Sequence, residues 1–539
     1  MKSMKKSNTL IALFLLAIAV LPACKKLEFD KIAQNAWNPN LAIPLAHSNF
    51  GVYDILAKQD SSEIVVIDNV TGAIALVYKG EVVSYDAQSI VQLNDQSSQT
   101  LLSFTDLNLV TLPAFSGTST TTNSDNIAFN TNAGVEIHTV DFSNGTLNLA
   151  LSTSLKHDVT VVLTFPDLKL NNIPISRTIN LTYTGGIPQT GSTSIDLTNV
   201  IGDFTLGNTT VNTFKVNCQT TITGTGQSIV GNENIQIDYN LSNLAFENAR
   251  GYFGQQNLGI SNDTILMRIF ETVSTGYFEL INPKVKFIVD NSFGFPARIN
   301  LSEIKTINVV TGQEFPLTSF PNVFDVNAPA VMGQTTTSTL DLNTTNAPNL
   351  ATVITPVPKY FYFAASAQSN PLGQTANLNF IEADSKFTVR TEVELPLEGL
   401  AYGFELRDTV PFNFNEDVSM IESLMFRINV DNGFPVEFKT QLVFLDQNYS
   451  PVFTIFNTPE AVVESALVDD GGKVNQNTLK ITDAHLSTLQ ISLLNQVKYV
   501  LLNGVAQSLD GTNGQIVKFY DSYRLGLKLG MQIQGNVGL

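Results

Sequence analysis

Short runs that alternate apolar and polar residues fill the chain from Glu63 onward. Glu63-Ile-Val-Val-Ile, Val159-Thr-Val-Val-Leu-Thr-Phe, Val285-Lys-Phe-Ile-Val and Phe387-Thr-Val-Arg-Thr-Glu-Val are examples, each set off by Gly, Asn, Asp or Pro nearby. β-Branched and aromatic side chains at a period of two suit a pleated, half-buried surface. Turn residues at short intervals between such runs predict an all-β chain of sandwich modules with few short helices. Helical periodicity appears in only three places. The strongest is 483–497, where Leu486, Leu489, Leu493 and Leu494 form a stripe. The others are 265–273 and 52–58. The run from Tyr523 towards the C-terminus alternates and reads as a last strand.

One unit recurs. Val285-Lys-Phe-Ile-Val-Asp-Asn-Ser-Phe-Gly-Phe-Pro and Met425-Phe-Arg-Ile-Asn-Val-Asp-Asn-Gly-Phe-Pro both run strand, Val-Asp-Asn, Gly-Phe-Pro, strand, and 147–163 is a looser third copy. Asp-Asn ends a strand by bonding local backbone. Gly permits a left-handed turn. Pro starts the return, where it need not donate. The unit resembles the strand-turn-strand of the water-stress domain of late embryogenesis abundant proteins, and Asn282-Pro283 fits that pattern. The resemblance implies seven-stranded, Ig-like sandwiches in tandem. At 100–200 residues per domain, the copies place sandwich regions at 61–250, 251–395 and 396–539.

The N-terminus is built differently. Lys2, Lys5 and Lys6 precede the uncharged run Thr9 to Leu21, and Leu21-Pro-Ala-Cys24 follows. This is the order of a secretory signal, and the apolar run is shorter than the roughly 20 residues that span a bilayer. Residues 1–23 are therefore expected to be removed, with 24–60 as a tether. The Leu-x-Ala-Cys ending resembles the lipobox of bacterial lipoproteins. It implies a diacylglycerol, of the palmitate kind, on the Cys24 sulfur. Lys25-Lys-Leu-Glu-Phe-Asp30 lacks Asp at the second mature position and resembles the surface-export signal of Bacteroidota lipoproteins. The lipobox likeness implies an outer-membrane anchor, and the export-signal likeness implies a face towards the cell exterior.

Composition narrows the partners. Charged residues make up 14% of the chain and the net charge is −18. Losing the signal leaves 27 basic and 48 acidic residues, or −21. A balance so acidic excludes nucleic acid and basic-patch adhesion to anionic lipid. Cys218 is the only cysteine besides Cys24. It sits in a strand-like stretch and is expected to be a small core residue.

The sequence carries few marks of chemistry. His47, His138, His157 and His485 are too far apart in sequence for metal-ligand spacing, and His138 is expected on a strand surface. No nucleophile elbow or phosphate loop occurs, and Thr223-Gly-Thr-Gly reads as a turn. Glu392, Glu394 and Glu405 are carboxylates of the type that glycoside hydrolysis needs. The first two share a strand face, and all three read as solvent-facing. Asp469-Asp-Gly-Gly lacks the further ligands of a calcium loop. Asp263-Thr264-Ile and Asp408-Thr409-Val match the Bacteroidota glycosylation sequon, making Thr264 and Thr409 candidate modified residues. Tyr360-Phe-Tyr-Phe and Gly251-Tyr-Phe-Gly are aromatic runs expected to be buried in strands. No catalytic, metal or cofactor residue is assigned. The expected function is non-enzymatic: a lipid-anchored envelope protein offering β-modules to another protein or to glycan. The alternatives are a glycan-binding lipoprotein of a nutrient-uptake system and a hydrolase with a split carboxylate site.

Overall fold

The computed structural model describes residues 40–52, 54, 65–260, 263–267, 276–308, 311–356, 358–412 and 418–535. Cys24 and most of the 52–58 segment lie outside them. The expected all-β class with few short helices is what the structure shows.

Three two-sheet sandwiches share one strand plan, and they are nested. The chain enters the outer sandwich with β1 (Asn40–Gly51) and the middle one with β2 (Ile74–Asp86). It then builds the whole inner sandwich: β3 (Gln96–Leu102), β4 (Thr118–Ala128), β5 (Glu136–Thr153), β6 (Asp158–Leu170), β7 (Ile173–Leu181), β8 (Gln189–Asp196), β9 (Thr213–Thr223) and β10 (Ile235–Tyr252). The middle sandwich resumes with β11 (Asp263–Leu266), β12 (Lys284–Asn291), β13 (Ala297–Asn308), β14 (Thr336–Leu342), β15 (Pro358–Ser369) and β16 (Lys386–Pro396). The outer one closes with β17 (Phe404–Pro411), β18 (Ile421–Asn432), β19 (Val436–Leu445), β20 (Pro451–Val463), β21 (Thr478–Leu486), β22 (Tyr499–Ser508) and β23 (Arg524–Gly535).

The first sheets run β3-β10-β5-β8, β2-β16-β12-β14 and β1-β23-β18-β21. The second sheets run β4-β9-β6-β7, β11-β15-β13 and β17-β22-β19-β20. In the inner sandwich the short strand Val200–Asp203 pairs with both β5 and β6 and joins the two layers into one ten-stranded sheet, which includes Asn379–Glu382 along β10. In each sandwich the opening strand pairs with the closing one, and the next sandwich is inserted just after the opening strand. Pairing therefore crosses the divisions expected at 60, 250 and 395. Residues 40–51, expected as tether, form a strand along β23, from Asn40 opposite Gln534 to Gly51 opposite Arg524. The sandwiches are nested and not in tandem.

Alternation explains the strands. In β6, Val159, Val161, Leu163 and Phe165 point inward, while Thr160, Val162 and Thr164 point out. The two sheets meet through such rows. Phe165 lies edge-on to Tyr239 of β10 at 6.4 Å, and Phe287 of β12 edge-on to Phe363 of β15 at 5.3 Å. Each fully buried aromatic of this kind contributes about 1.5–3 kcal/mol. The inner and middle cores form one continuous apolar cluster that Phe434 and Tyr523 of the outer sandwich join, and the outer sandwich has two further clusters.

Helical periodicity misled at 265–273 and held in part at 483–497. Ile265 and Leu266 belong to β11, and residues 268–275 lie outside the described set. In 483–497, β21 continues to Leu486, because Ala484 and Leu486 face the core with a period of two. Ser487 then caps a short helix, Thr488–Leu493, with a capping box closed by Gln490, and a 3₁₀ turn (Leu494–Gln496) follows.

The repeat is structural. Asn291 and Asn432 are both buried at the end of the third strand of their first sheet. The amide N–H of Phe293 donates to Asn291 Oδ1, and that of Phe434 to Asn432 Oδ1, each at 2.9 Å. Hydrogen bonding thus matches Phe293 with Phe434, whereas the Gly-Phe-Pro letters match Phe295 with Phe434. Neither Gly294 nor Gly433 is left-handed. They are needed for close approach: a Cβ on Gly294 would enter the Phe380 ring, and one on Gly433 would sit 2.9 Å from the Arg524 carbonyl oxygen.

Candidate functional site

An open groove of about 500 Å³ lies on the outward face of the second sheet of the outer sandwich. Three strands supply its floor in register. Thr409 of the edge strand β17 stands opposite Leu501 of β22, which stands opposite Val443 of β19. One row along, Tyr499 stands opposite Leu445, and Leu445 opposite Pro451. Arg407 lies two residues before Thr409, so strand alternation puts both on the outward face.

The β19–β20 turn forms the rim. The Asp446 carboxylate accepts the N–H groups of Asn448 (2.8 Å) and Ser450 (2.9 Å), and the Asp446 carbonyl accepts that of Tyr449 (3.1 Å). Held this way, Tyr449 adopts a left-handed backbone, φ 61°, which is rare for a bulky residue. The Tyr449 ring is 59% exposed and stacks on Tyr499 at 4.4 Å and 15°. A hydrogen bond between the two hydroxyls, with Tyr499 close by, pushes the Tyr449 pKa above its ordinary value. The groove thus combines an apolar floor, an exposed aromatic face and a guanidinium, and among the described residues that line it there is no nucleophile–base pair.

Sequence reading missed this site. Arg407, Tyr449 and Tyr499 are brought together by non-local pairing. The one local signal was the Asp446-Gln-Asn-Tyr-Ser-Pro turn with an aromatic in it.

The residues that were singled out fall elsewhere, apart from Thr409. Thr264 is exposed on β11, opposite Tyr362, whose ring lies 4.7 Å from the Lys305 amine. Thr264 and Thr409 thus occupy matching edge strands of the middle and outer sandwiches. Glu392 and Glu394 share the outward face of β16 and are taken up by Lys79 (3.2 Å) and Lys284 (2.9 Å). Glu405 is on β17, in another sheet. Asp469 closes a plain turn, its Oδ1 accepting from Gly471 and Lys473 N–H groups at 2.9 Å.

Cys218 is buried, and burial pushes its thiol pKa up. His138 is half-buried, 3.9 Å from Glu136. His157 is fully buried at the β5–β6 turn, edge-on to Phe115, with the Thr225 N–H 3.3 Å from its Nδ1. Burial holds its pKa below the ordinary histidine value, against the opposing pull of Glu233 and Asp158. Within Tyr360-Phe-Tyr-Phe, the phenylalanines face the core and the tyrosines face out. Phe253 is buried beside half-buried Tyr252. Among the described residues no cluster of His, Cys, Asp or Glu could hold a metal ion. Among them, too, no helix is long and apolar enough to cross a membrane.

No family model matches the chain, and no curated protein matches it. Among solved structures, a protein of Parabacteroides distasonis ATCC 8503 assigned as secreted is similar at 15% identity and a TM-score of 0.30, over 53% of this chain and 89% of that one. The VP2 protein of infectious bursal disease virus is similar at 9% identity and a TM-score of 0.14, over 89% of this chain and 81% of that one.

Proposed function

We propose that this chain is a non-enzymatic envelope lipoprotein, anchored through acylated Cys24, whose outer sandwich binds glycan. The Tyr449–Tyr499 stack carries the reading. A turn that spends local strain to hold an aromatic ring in water is doing so for contact, because such outliers persist only where the surroundings over-determine them. An exposed ring beside an apolar floor suits the C–H face of a sugar. The nesting suits an anchored role. Fifteen residues separate Cys24 from Asn40, a reach of at most about 55 Å, so the groove-bearing sandwich is the one directly tethered.

A protein partner is the second reading, favoured by Leu479 and Ile481, which are 72% and 57% exposed on the edge strand β21. Two measurements decide. Fatty-acid labelling of expressing cells should mark the wild type and not Cys24→Ser, which should leave the membrane fraction. The detergent-purified protein should bind polysaccharides on an array through the groove, and Tyr449→Ala should lose that binding. Binding lost instead in Ile481→Lys, to a protein and not to glycan, would replace the first reading with the second.

A further inference from the structure

We infer that the groove takes an acidic saccharide, with a uronic carboxylate held by Arg407. This rests on the glycan reading and narrows it to one charge class. The other outward arginines described have partners of two kinds: Arg177 and Arg524 donate to backbone carbonyls and Arg250 to the Met332 sulfur, whereas three take up carboxylates. Arg298 forks onto Asp325 with bonds of 2.6 and 3.1 Å, and Arg427 onto Asp483 with bonds of 2.7 and 2.6 Å. Arg390 pairs with Asp290. Arg407 is exposed on its strand, and among the described residues no carboxylate pairs with it. Acidic residues outnumber basic ones 48 to 30 in this chain, so a groove-lining arginine without a carboxylate is a vacant fork in an acidic molecule.

The fork has a preferred guest. Guanidinium is planar and always charged, and it matches a carboxylate with two parallel N–H···O bonds. A neutral sugar leaves that geometry to water. The exposed Tyr449 ring and the Val443–Leu501 floor supply the surface on which a pyranose lies, on the same outward face as Arg407. The volume falls inside the roughly 300–1,000 Å³ range of small-ligand sites. A ring stacked at the rim with its carboxylate turned to β17 satisfies both features at once. The long-range field of a chain at −18 opposes an anion, so the attraction must be local, and salt should affect it modestly.

Calorimetric titration of the full-length, detergent-purified protein tests this. The probes are a tetrasaccharide of galacturonate, a neutral tetraglucoside and the sulfated, anionic form of that tetraglucoside. The galacturonate probe should bind about tenfold more tightly than the neutral one, the equivalent of one charge-assisted contact. Arg407→Gln should erase that ratio, and Arg407→Lys should keep only part of it. Tyr449→Ala should weaken all probes together. Equal affinity for acidic and neutral probes, or a ratio unchanged in Arg407→Gln, would overturn the charge assignment and leave the glycan reading standing. Tighter binding of the sulfated probe would overturn the carboxylate assignment. No binding of any probe would overturn both readings.

Discussion

The β18–β19 hairpin of the outer sandwich and the β5–β6 hairpin of the inner one solve the same problem with different side chains. Each must satisfy buried backbone groups where the chain leaves one sheet for the other. In the outer sandwich a single residue does it. Asn432 accepts the Phe434 N–H and donates to the carbonyls of Phe434 (2.9 Å), Val436 (2.9 Å) and Glu464 (2.7 Å). In the inner sandwich the work is divided. Thr153 Oγ1 accepts the Leu155 N–H (3.1 Å) and donates to the Asn234 carbonyl (2.7 Å). The Gln189 amide, from the start of β8, donates to the carbonyls of Leu155 (2.7 Å) and His157 (2.9 Å). Those carbonyls stand two and four residues after Thr153, as those of Phe434 and Val436 stand after Asn432. The comparison teaches that what recurs is a set of backbone bonds, which one amide or a hydroxyl and a distant amide can supply.

The largest effect is expected where one residue does everything. Asn432→Ala removes the acceptor of the Phe434 N–H and an NH2 whose two protons serve three carbonyls, of which that of Phe434 keeps the Ala466 N–H, at about 1–3 kcal/mol for each buried group left unsatisfied. Partial relaxation brings the expected loss to about 4 kcal/mol, an exceptional value for one substitution. Urea unfolding followed by circular dichroism checks it. A loss below about 1 kcal/mol would show that the asparagine is not the plug. In the inner sandwich, Gln189→Ala should cost about 2–3 kcal/mol and Thr153→Val about 1–2 kcal/mol. The two should be non-additive, because they serve one turn.

The divided hairpin also carries a titratable group that the other lacks. His157 stands four residues after Thr153, where Phe295 stands after Asn291 and Val436 after Asn432. Burial keeps its folded pKa below the value it has in the unfolded chain. Above that unfolded value, near 6.5, both states are neutral and nothing changes. Below it the unfolded state binds the proton first, so stability falls as pH falls. Thermal melts between pH 7.5 and 5 should show that slope in the wild type and a flatter one in His157→Phe. An unchanged slope would exclude His157 as its source.

These hairpins also show how far local sequence reaches. Asn291 and Asn432 were legible because a strand, Asp-Asn and Gly-Phe-Pro lie within a dozen residues. The inner copy was only a loose match, because half of its plug, Gln189, enters from another strand. Nesting was illegible for the same reason on a larger scale. Nothing local tells β1 that its partner is β23, nearly five hundred residues away, so 40–51 read as tether. The stripe in 483–497 mixed one core-facing strand position, Leu486, with positions of a short capped helix and the turn after it. The groove was hidden because Arg407, Tyr449 and Tyr499 meet only after β17, β19 and β22 pair.

The smallest expected effect is the sharpest test of the comparison. If the hairpins share a bonding plan and not a residue, moving the outer solution into the inner hairpin should work. Thr153→Asn in the Gln189→Ala background places an amide where Asn432 holds its own, within reach of the carbonyls at 155 and 157. Its Oδ1 replaces the hydroxyl as acceptor for the Leu155 N–H. The double variant should recover most of what Gln189→Ala loses and end within about 1 kcal/mol of the wild type. The remaining deficit reflects the void left by the glutamine side chain, since packed interiors relax only in part. Should Thr153→Asn add to the loss instead, the likeness between the hairpins would be one of backbone path alone, and Gln189 would owe its burial to packing around β8 and not to the turn it bonds.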